Sequence, residues 1–458
     1  MLDLIRRELE NKKVLLLGFG REGQSSYHLI RRVLPELHLT IADADKSVCE
    51  NEILNNDQFI DFILGEGYLE GLNFFERIMK SPGISLKDVA YNIHRSSITS
   101  QTDLFLNRYS RQIIGVTGTK GKSTTVTLIN HILKLAEKDA LLMGNIGRPA
   151  FDFIDEIKAE TNLVYEFSSH QLEYITRSPH IAVLLNFYQE HLDAYRSFHD
   201  YKVAKMNIAK YQVQGDYFIF NYDDKRIKQF ISKIYVADKL PFSLQTELVD
   251  GCYKKNQQIV FSSGGMEEVI FDLRRKIKLQ GEHNLMNIMA AVIVCKQLGI
   301  DKEIITEGIS SFRGLEHRIE YVGEFNGIHF YNDSIATIPE ACIEAIKALA
   351  MVDTLILGGF DRGIDYSGLA KFLAASGVRN LIFTGDAGRR ILHEIRDIKS
   401  PGQTLFLLSR FDEFIDIVFN VTRKGLICLL SPAAASYDEF QNFEMRGKRF
   451  KELVRNRE

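Results

Sequence analysis

No stretch of the chain approaches the ~20 uninterrupted apolar residues that a membrane-spanning helix needs. The first residues, MLDLIRRELENKK, alternate charged and apolar side chains and lack the apolar core of a secretory signal. Cysteine is sparse. Cys49, Cys252, Cys295, Cys342 and Cys428 are scattered, odd in number and without a CxxC pair, which argues against a disulfide framework or a zinc cluster and fits a reducing compartment. No excess of one charge exists either. A net charge of -3 gives no reason to expect nucleic acid or an anionic membrane as partner, so any anionic ligand must be held by local features. Low-complexity linkers and short-period repeats are also missing. The expectation is a cytoplasmic globular protein.

At 458 residues the chain is too long for one core and fits two or three domains. Short apolar runs alternate with helical patterns, which predicts an α/β fold with parallel sheets. A first segment opens with a strand, Lys13 to Leu17, that runs into Gly18-Phe19-Gly20-Arg21-Glu22-Gly23 and a helix. A second strand, Leu37 to Ala42, ends at Asp43. The next segment opens with a strand from Gln112 to Val116, followed by a glycine-bearing loop and a long helix. NLVYEF (162–167) and IAVLLN (181–186) read as further strands, 212–280 as a less regular β-rich stretch, and HNLMNIMAAVIVCKQLG as a helix. From about residue 315 the α/β rhythm returns with strands IHFYND, DTLILGG, NLIFTG and LICLLSP. Boundaries near 100 and 314 give domains 1–100, 101–314 and 315–458.

The most informative stretch is Gly118-Thr119-Lys120-Gly121-Lys122-Ser123-Thr124. A tight turn between strand and helix aims several N–H groups at one point, where the helix dipole also favours an anion. Gly118 and Gly121 let the backbone wrap a phosphate, Lys122 can reach the β- and γ-phosphates, and the Ser123 hydroxyl can ligate Mg²⁺. The spacing departs from G-x-x-x-x-G-K-[ST], because Val116 stands where the first glycine would be. A phosphate site also needs metal and acidic groups at neighbouring strand ends. Glu166 ends one apolar run, and His191 follows another by five residues. Taken singly, such a histidine is more often structural and such a glutamate solvated; together, after a phosphate loop, they become candidate metal ligands. Gly18, Gly20 and Gly23 match the dinucleotide fingerprint, with Asp43 at the distance of a ribose-binding acid. Alone this would predict NAD and a dehydrogenase. A nucleotide-bearing substrate on the first domain and ATP on the second account for both motifs.

In this order the motifs resemble the Mur ligase family. GTKGKST matches its form of the phosphate loop, and GNIGRPA (144–150), EFSSHQLE (166–173), LNFYQEHLD (185–193) and GEHNLMN (281–287) resemble its central-domain signatures. EHRIE (316–320), YNDSIAT (331–337), GGFDRG (358–363) and LSPAAASYDEFQNFEMRG (430–447) resemble those of its C-terminal domain. The resemblance implies an N-terminal Rossmann-like domain for a UDP group, a central P-loop ATPase domain, and a C-terminal Rossmann-like domain that brings the amino acid. It implies a monomeric ligase that adds D-glutamate to UDP-N-acetylmuramoyl-L-alanine, with ATP and two Mg²⁺ ions. Ser123 and Glu166 would serve one ion. His191 and a carbamylated lysine would hold the other. The residues alone do not choose among Lys202, Lys205 and Lys210; the resemblance implies Lys205. It also implies nucleotide contacts at Asn284, Arg318 and Asp333, and substrate contacts at Gly20, Arg21, Glu22, Asp43 and Asn145. For Asn145 and Asn284 ordinary capping is an equally good reading.

One departure bears on the amino acid. Where the D-glutamate-adding branch has a lysine in N-D-S-K-A-T, this chain has Ile335, as an L-glutamate-adding branch also lacks that lysine. Thr337, Arg362, Ser436 and Phe443 nevertheless stand where the family contacts D-glutamate, with Arg362 in place of a lysine. Rivals are the L-glutamate variant, another Mur ligase, a folylpolyglutamate synthase lacking the UDP domain, and a non-enzymatic nucleotide-binding module.

Overall fold

The computed structural model describes residues 1–54, 56–89, 92–145, 148–189, 194–232, 234, 236–275, 277–279, 281–349 and 351–457. Two compact units divide the chain, Met1–Phe312 and Arg313–Glu458. Within the first unit, β1 (Val14–Leu17), β2 (Leu39–Asp43), β3 (Ile60–Leu64), β4 (Arg77–Lys80) and β5 (Ile98–Thr99) form a wholly parallel sheet in the order β3-β2-β1-β4-β5. The order reverses beside β1, which opens a crevice at the carboxyl ends of β1 and β4.

The second sheet holds β6 (Ile113–Thr117), β7 (Ala140–Gly144), β8 (Asn162–Glu166), β9 (Ile181–Leu184), β10 (Tyr217–Asn221), β11 (Asp238–Ser243), β12 (Gly251–Lys255), β13 (Gln258–Ser263) and β14 (Met266–Asp272). Their order is β14-β13-β12-β11-β10-β9-β6-β8-β7, parallel from β7 to β12 and antiparallel at β13 and β14. The stretch 212–280 is β-rich as expected, and its strands β10 to β14 continue this sheet in order.

Alternation along these strands feeds two cores. Ile114, Val116, Val164, Ile181 and Val183 pack with Val126, Ile129 and Ile132 of the helix Lys122–Leu135 and with the helix Glu282–Gln297, buried from Asn287 to Cys295. Leu163, Tyr165, Ala182 and Leu184 face the other way, into a core shared with Leu16, Ile41 and Met79 of the first sheet. The helix Arg21–Val33 contributes Tyr27 and Ile30 to that shared core, and the helix Gln101–Tyr109 contributes Phe105.

A polar seam runs through the same junction. Gln101, 3% exposed, donates from Nε2 to Ser25 Oγ (3.2 Å) and Ser26 Oγ (3.3 Å), and its Oε1 accepts from Ala150 N at 2.9 Å. Ser25 Oγ in turn donates to Asp152 Oδ1 at 2.5 Å.

The second unit is built on β15 (Glu320–Phe325), β16 (Ile328–Asn332), β17 (Val352–Gly358), β18 (Asn380–Thr384), β19 (Thr404–Leu407) and β20 (Ile427–Leu430), in the order β15-β16-β20-β17-β18-β19. Only β15 runs antiparallel. Leu355, Leu357, Leu381, Phe383 and Leu429 face one core, and Ile356, Ile382, Cys428 and Leu430 the other. Among the described residues no helix is long and apolar enough to cross a membrane.

The seam yields a first prediction. Gln101→Leu keeps side-chain bulk but orphans the buried Ala150 N–H, so it should lower stability by about 2 kcal/mol. Urea unfolding followed by far-UV circular dichroism checks this; an unchanged midpoint would show that the seam contributes nothing.

Candidate active site

The phosphate loop leaves β6 through Gly118 (φ 156°) and enters the helix Lys122–Leu135 through Gly121 (φ 89°). Both glycines are required by their surroundings. A Cβ on Gly118 would stand 2.9 Å from Leu185 Cβ, and one on Gly121 would stand 2.4 Å from Asn287 Oδ1. Asn186 holds the loop from the side: its Oδ1 accepts from Thr119 N (3.1 Å) and Lys120 N (2.9 Å), and its Nδ2 donates to Lys120 O (3.0 Å). Lys122 Nζ curls back to donate to Gly118 O and Thr119 O, both at 3.0 Å. Ser123 and Thr124 occupy the first turn of the helix.

Lys205 lies beneath this loop, 2% exposed, on the helix Phe198–Lys210. Its Nζ donates to Gly118 O at 2.9 Å and lies 3.5 Å from Thr117 Oγ1, above the Tyr201 ring. Tyr201 OH shares a 2.9 Å hydrogen bond with Thr119 Oγ1. Lys202 instead sits over Phe198 and Phe230, and Lys210 is exposed over Tyr211. The geometry therefore separates three lysines that the residue pattern could not.

Glu166 closes β8 next to the loop, in register with Val116. It is 1% exposed; its Oε1 accepts from Asn145 Nδ2 at 2.9 Å, while Oε2 is buried without a partner. A buried carboxylate oxygen left unsatisfied beside a phosphate loop suits a hard cation such as Mg²⁺. Among the described residues no three His, Cys, Asp or Glu side chains gather into a metal-binding group. His191 lies outside the described residues, as do parts of GNIGRPA and LNFYQEHLD. Asn284 stands one turn before Asn287, whose Nδ2 donates to Asn284 Oδ1 at 3.2 Å. Lys120, Gly121, Leu185, Tyr188, His283 and Met286 line a cleft of about 320 Å³ beside the loop.

At the first sheet, Gly18 (φ 91°) turns the chain, and Phe19 N donates to Asp43 Oδ2 at 2.7 Å. Ser81 Oγ donates to Gly18 O at 2.8 Å, and a Cβ on Gly23 would strike that same carbonyl oxygen at 2.1 Å. Gly20 caps the helix, with open space beside it and the exposed Arg21 following. Glu22 turns inward. Its Oε1 accepts from Gln171 Nε2 at 2.7 Å, linking this helix to the segment after Glu166, and burial raises its pKa. Lys80, 3% exposed at the end of β4, has its Nζ 3.9 Å from Glu173 Oε2, and burial pushes its pKa down to about 8.

In the second unit the candidates collect at the carboxyl ends of β16, β17 and β20, where α/β sheets bind ligands. Asp333, 4% exposed, accepts from Ile319 N (3.1 Å) and Ser431 Oγ (2.8 Å), and burial raises its pKa to about 6. Around the exposed Arg318, His317 (φ 62°) and Ile319 (φ 44°) hold left-handed backbone that non-glycine residues adopt at a cost. Arg362 Nη2 donates to Thr337 O at 2.8 Å, which draws these two candidates together. Ser436 is buried after β20, and Phe443 is joined to the loop after β16 by Ser334 Oγ, which donates to Phe443 O at 2.8 Å.

With these positions in view, similarity to known proteins becomes decisive. The Mur ligase middle domain matches residues 116–295. The UDP-N-acetylmuramoylalanine–D-glutamate ligase of Acetivibrio thermocellus is 34% identical over 99% of this chain and 98% of its own. The chain belongs to the Mur ligase family. The ligase of the same name from Listeria monocytogenes serovar 1/2a is 34% identical, over 97% of this chain and 96% of its own. Among solved structures, MurF from Acinetobacter baumannii matches with a TM-score of 0.58 at 14% identity, over 99% of this chain and 98% of that one. Thermotoga maritima MurF ligase, in complex with ADP, matches with a TM-score of 0.51 at 18% identity over all of both chains. These structural likenesses bear out the α/β fold, and the full-length relatives bear out the family read from the motifs. Asn186 and Tyr201, which hydrogen-bond to the loop, and Asn287, which lies against Gly121, were not singled out individually from the sequence, although Asn186 and Asn287 fall within LNFYQEHLD and GEHNLMN.

The buried Asp333 gives a pH-dependent prediction. Its carboxyl is protonated more readily in the folded state, so ionisation weakens folding as pH rises from the ordinary value of 3.8 to about 6. Asp333→Asn should therefore be more stable than the native protein above that range, by up to about 3 kcal/mol. The advantage should vanish below the ordinary carboxylate pKa. Thermal unfolding across this range checks it; an equal difference at both ends would refute the assignment.

Proposed function

We propose that the protein is an ATP-dependent ligase that joins D-glutamate to UDP-N-acetylmuramoyl-L-alanine in peptidoglycan precursor synthesis. The observation that carries this reading is the GTKGKST loop with buried Lys205 hydrogen-bonded to it and buried Glu166 ending the neighbouring strand, in a chain whose full-length relatives bear that activity's name. Three domains, 1–100 for the UDP group, 101–314 for ATP and 315–458 for the amino acid, belong to the same proposal, as do a cytoplasmic location and a monomeric state.

A carboxylate is a poor acyl donor. The terminal carboxylate of the L-alanyl group attacks the γ-phosphorus of ATP, the bond to the β–γ bridging oxygen breaks, and ADP leaves. The amine of glutamate adds to the acyl phosphate, and the tetrahedral intermediate expels inorganic phosphate and loses a proton to become the amide. Lys122, held at the mouth of the loop, balances charge on the transferring phosphoryl group. Magnesium bound by Ser123 and Glu166, with a second ion at His191 and a carbamylated Lys205, would supply further neutralisation. Burial of Lys205 against the loop supports its choice over Lys202 and Lys210.

Specificity for the amino acid rests on the second unit. Ile335 supports a rival reading, an L-glutamate ligase, because it removes a cation. The contact of Arg362 with Thr337, two residues further on, returns a cation to that segment and favours D-glutamate. An arginine fork can bind a carboxylate with two hydrogen bonds.

Three outcomes are expected. Phosphate release with ATP and UDP-N-acetylmuramoyl-L-alanine should be robust with D-glutamate and negligible with L-glutamate; the reverse would establish the L-specific reading. Lys122→Ala should reduce turnover by about 10²-fold or more with the fold intact. Arg362→Ala should raise KM for D-glutamate by about tenfold or more, with KM for ATP changing much less.

A further inference from the structure

Arg446 is among the largest fully buried side chains of the protein, 2% exposed on the helix Phe443–Arg455. A guanidinium in such a place normally faces a carboxylate, because a buried charge without compensation is unfavourable. Here its hydrogen bonds end on neutral oxygens. Nε donates to Ser334 Oγ at 3.1 Å. Nη1 donates to Ala435 O at 3.1 Å and Gly358 O at 3.4 Å, and Nη2 to Ser334 O and Ala434 O, both at 3.0 Å. Burial pushes its pKa down to about 10, an effect that the exposed Asp438 opposes, so it stays charged at neutral pH.

These oxygens belong to three separate loops. Ser334 follows β16, Gly358 ends β17, and Ala434 and Ala435 follow β20. The same loops carry Thr337, Arg362 and Ser436, while Ser334 Oγ also donates to the carbonyl of Phe443. Backbone bonds tighten the junction, with Phe360 N donating to Ala435 O at 2.9 Å. Space for the guanidinium is set by Gly359, where a Cβ would stand 2.2 Å from Ala435 O and 2.9 Å from Arg446 Nη1.

We propose that Arg446 is a positioning residue for the acidic amino-acid substrate. Its fork locks the loops after β16, β17 and β20 into the one arrangement that presents Thr337, Arg362, Ser436 and Phe443 together, and its charge is balanced by the substrate's carboxylates when they bind. This rests on the reading of that pocket as the glutamate site. Neutral oxygens take its hydrogen bonds and the exposed Asp438 opposes the effect of burial on its charge, so Arg446 and Arg362 together place two cations among these loops. Two cations there favour an amino acid with two carboxylates over one of similar size with a single carboxylate.

The test compares Arg446→Lys, which keeps the charge and loses the fork, with Arg446→Gln, which keeps an amide donor and loses the charge. Ser334→Ala removes one acceptor and is the milder variant should the arginine substitutions fail to fold. Readouts are KM for glutamate, KM for ATP, and transfer of label from ADP into ATP with UDP-N-acetylmuramoyl-L-alanine in the absence of glutamate. Arg446→Lys should raise KM for glutamate by about tenfold, Arg446→Gln by more, and Ser334→Ala by about threefold, while the glutamate-independent exchange stays within about twofold. An unchanged KM for glutamate in folded variants, or an equal loss in the exchange reaction, would overturn the proposal. Arg362→Ala run alongside separates the two readings. If it raises KM for glutamate and the Arg446 and Ser334 variants do not, only the positioning role falls. If none of them raises it, the pocket itself has been misassigned.

Discussion

A parallel strand covered on both faces can display polar groups only at its ends. That constraint shapes each sheet of this protein. The strand β6 is buried along its whole length, so the first place where its chain can meet a ligand is the loop at Gly118. The same logic puts Glu166 and Gly358 at the last positions of β8 and β17, Ser81 just past β4, and Ser334 and Ala434 past β16 and β20. Candidate site residues far apart in the chain thus gather along sheet margins without any element bending to reach them. Asparagine and arginine side chains then do what backbone cannot, tying neighbouring loops together from within. Asn186 does so at the phosphate loop, and Arg446 at the second unit's loops.

Central strands were legible from the sequence because burial on both faces demands continuous apolar runs, as in IAVLLN and DTLILGG. The strands that escaped notice are edges or near-edges. Exposure along β3, β15 and β19 relaxes the demand for apolar residues, so their sequences carry little pattern. Two-residue β5 is too short to carry any. The stretch 212–280 looked irregular for another reason: it switches from parallel strands to an antiparallel hairpin pair, and its hydrophobic period changes with it.

In the candidate site the phosphate loop was legible because glycines at strand–helix turns have few other uses. Lys205 was not, since a helix with lysines at 202, 205 and 210 does not say which one faces inward; its neighbours Ala204, Met206 and Ile208 are all buried, so no single apolar stripe marks the inner side. Arg446 was hidden more thoroughly, because arginine is normally a surface residue and its place in the motif 430–447 does not say that its side chain turns inward. Glu22 shows the converse. Its place in a nucleotide fingerprint pointed to a ligand, but not to the inward turn that brings its Oε1 to Gln171 and leaves Oε2 buried without a partner. A motif specifies backbone shape well and side-chain direction poorly.

The core shared by the first two sheets has a consequence for biosynthesis. Leu16, Ile41, Met79, Tyr27 and Ile30 are covered in part by Phe151, Tyr165 and Phe167, which lie many tens of residues later in the chain. A ribosome releasing the N-terminal segment first therefore exposes an apolar face whose cover has not yet been translated. Such a nascent segment is a natural client for chaperones that hold hydrophobic surface, and it can become native only when the middle of the chain arrives. The second unit, with cores made wholly of its own residues, is under no such obligation to wait.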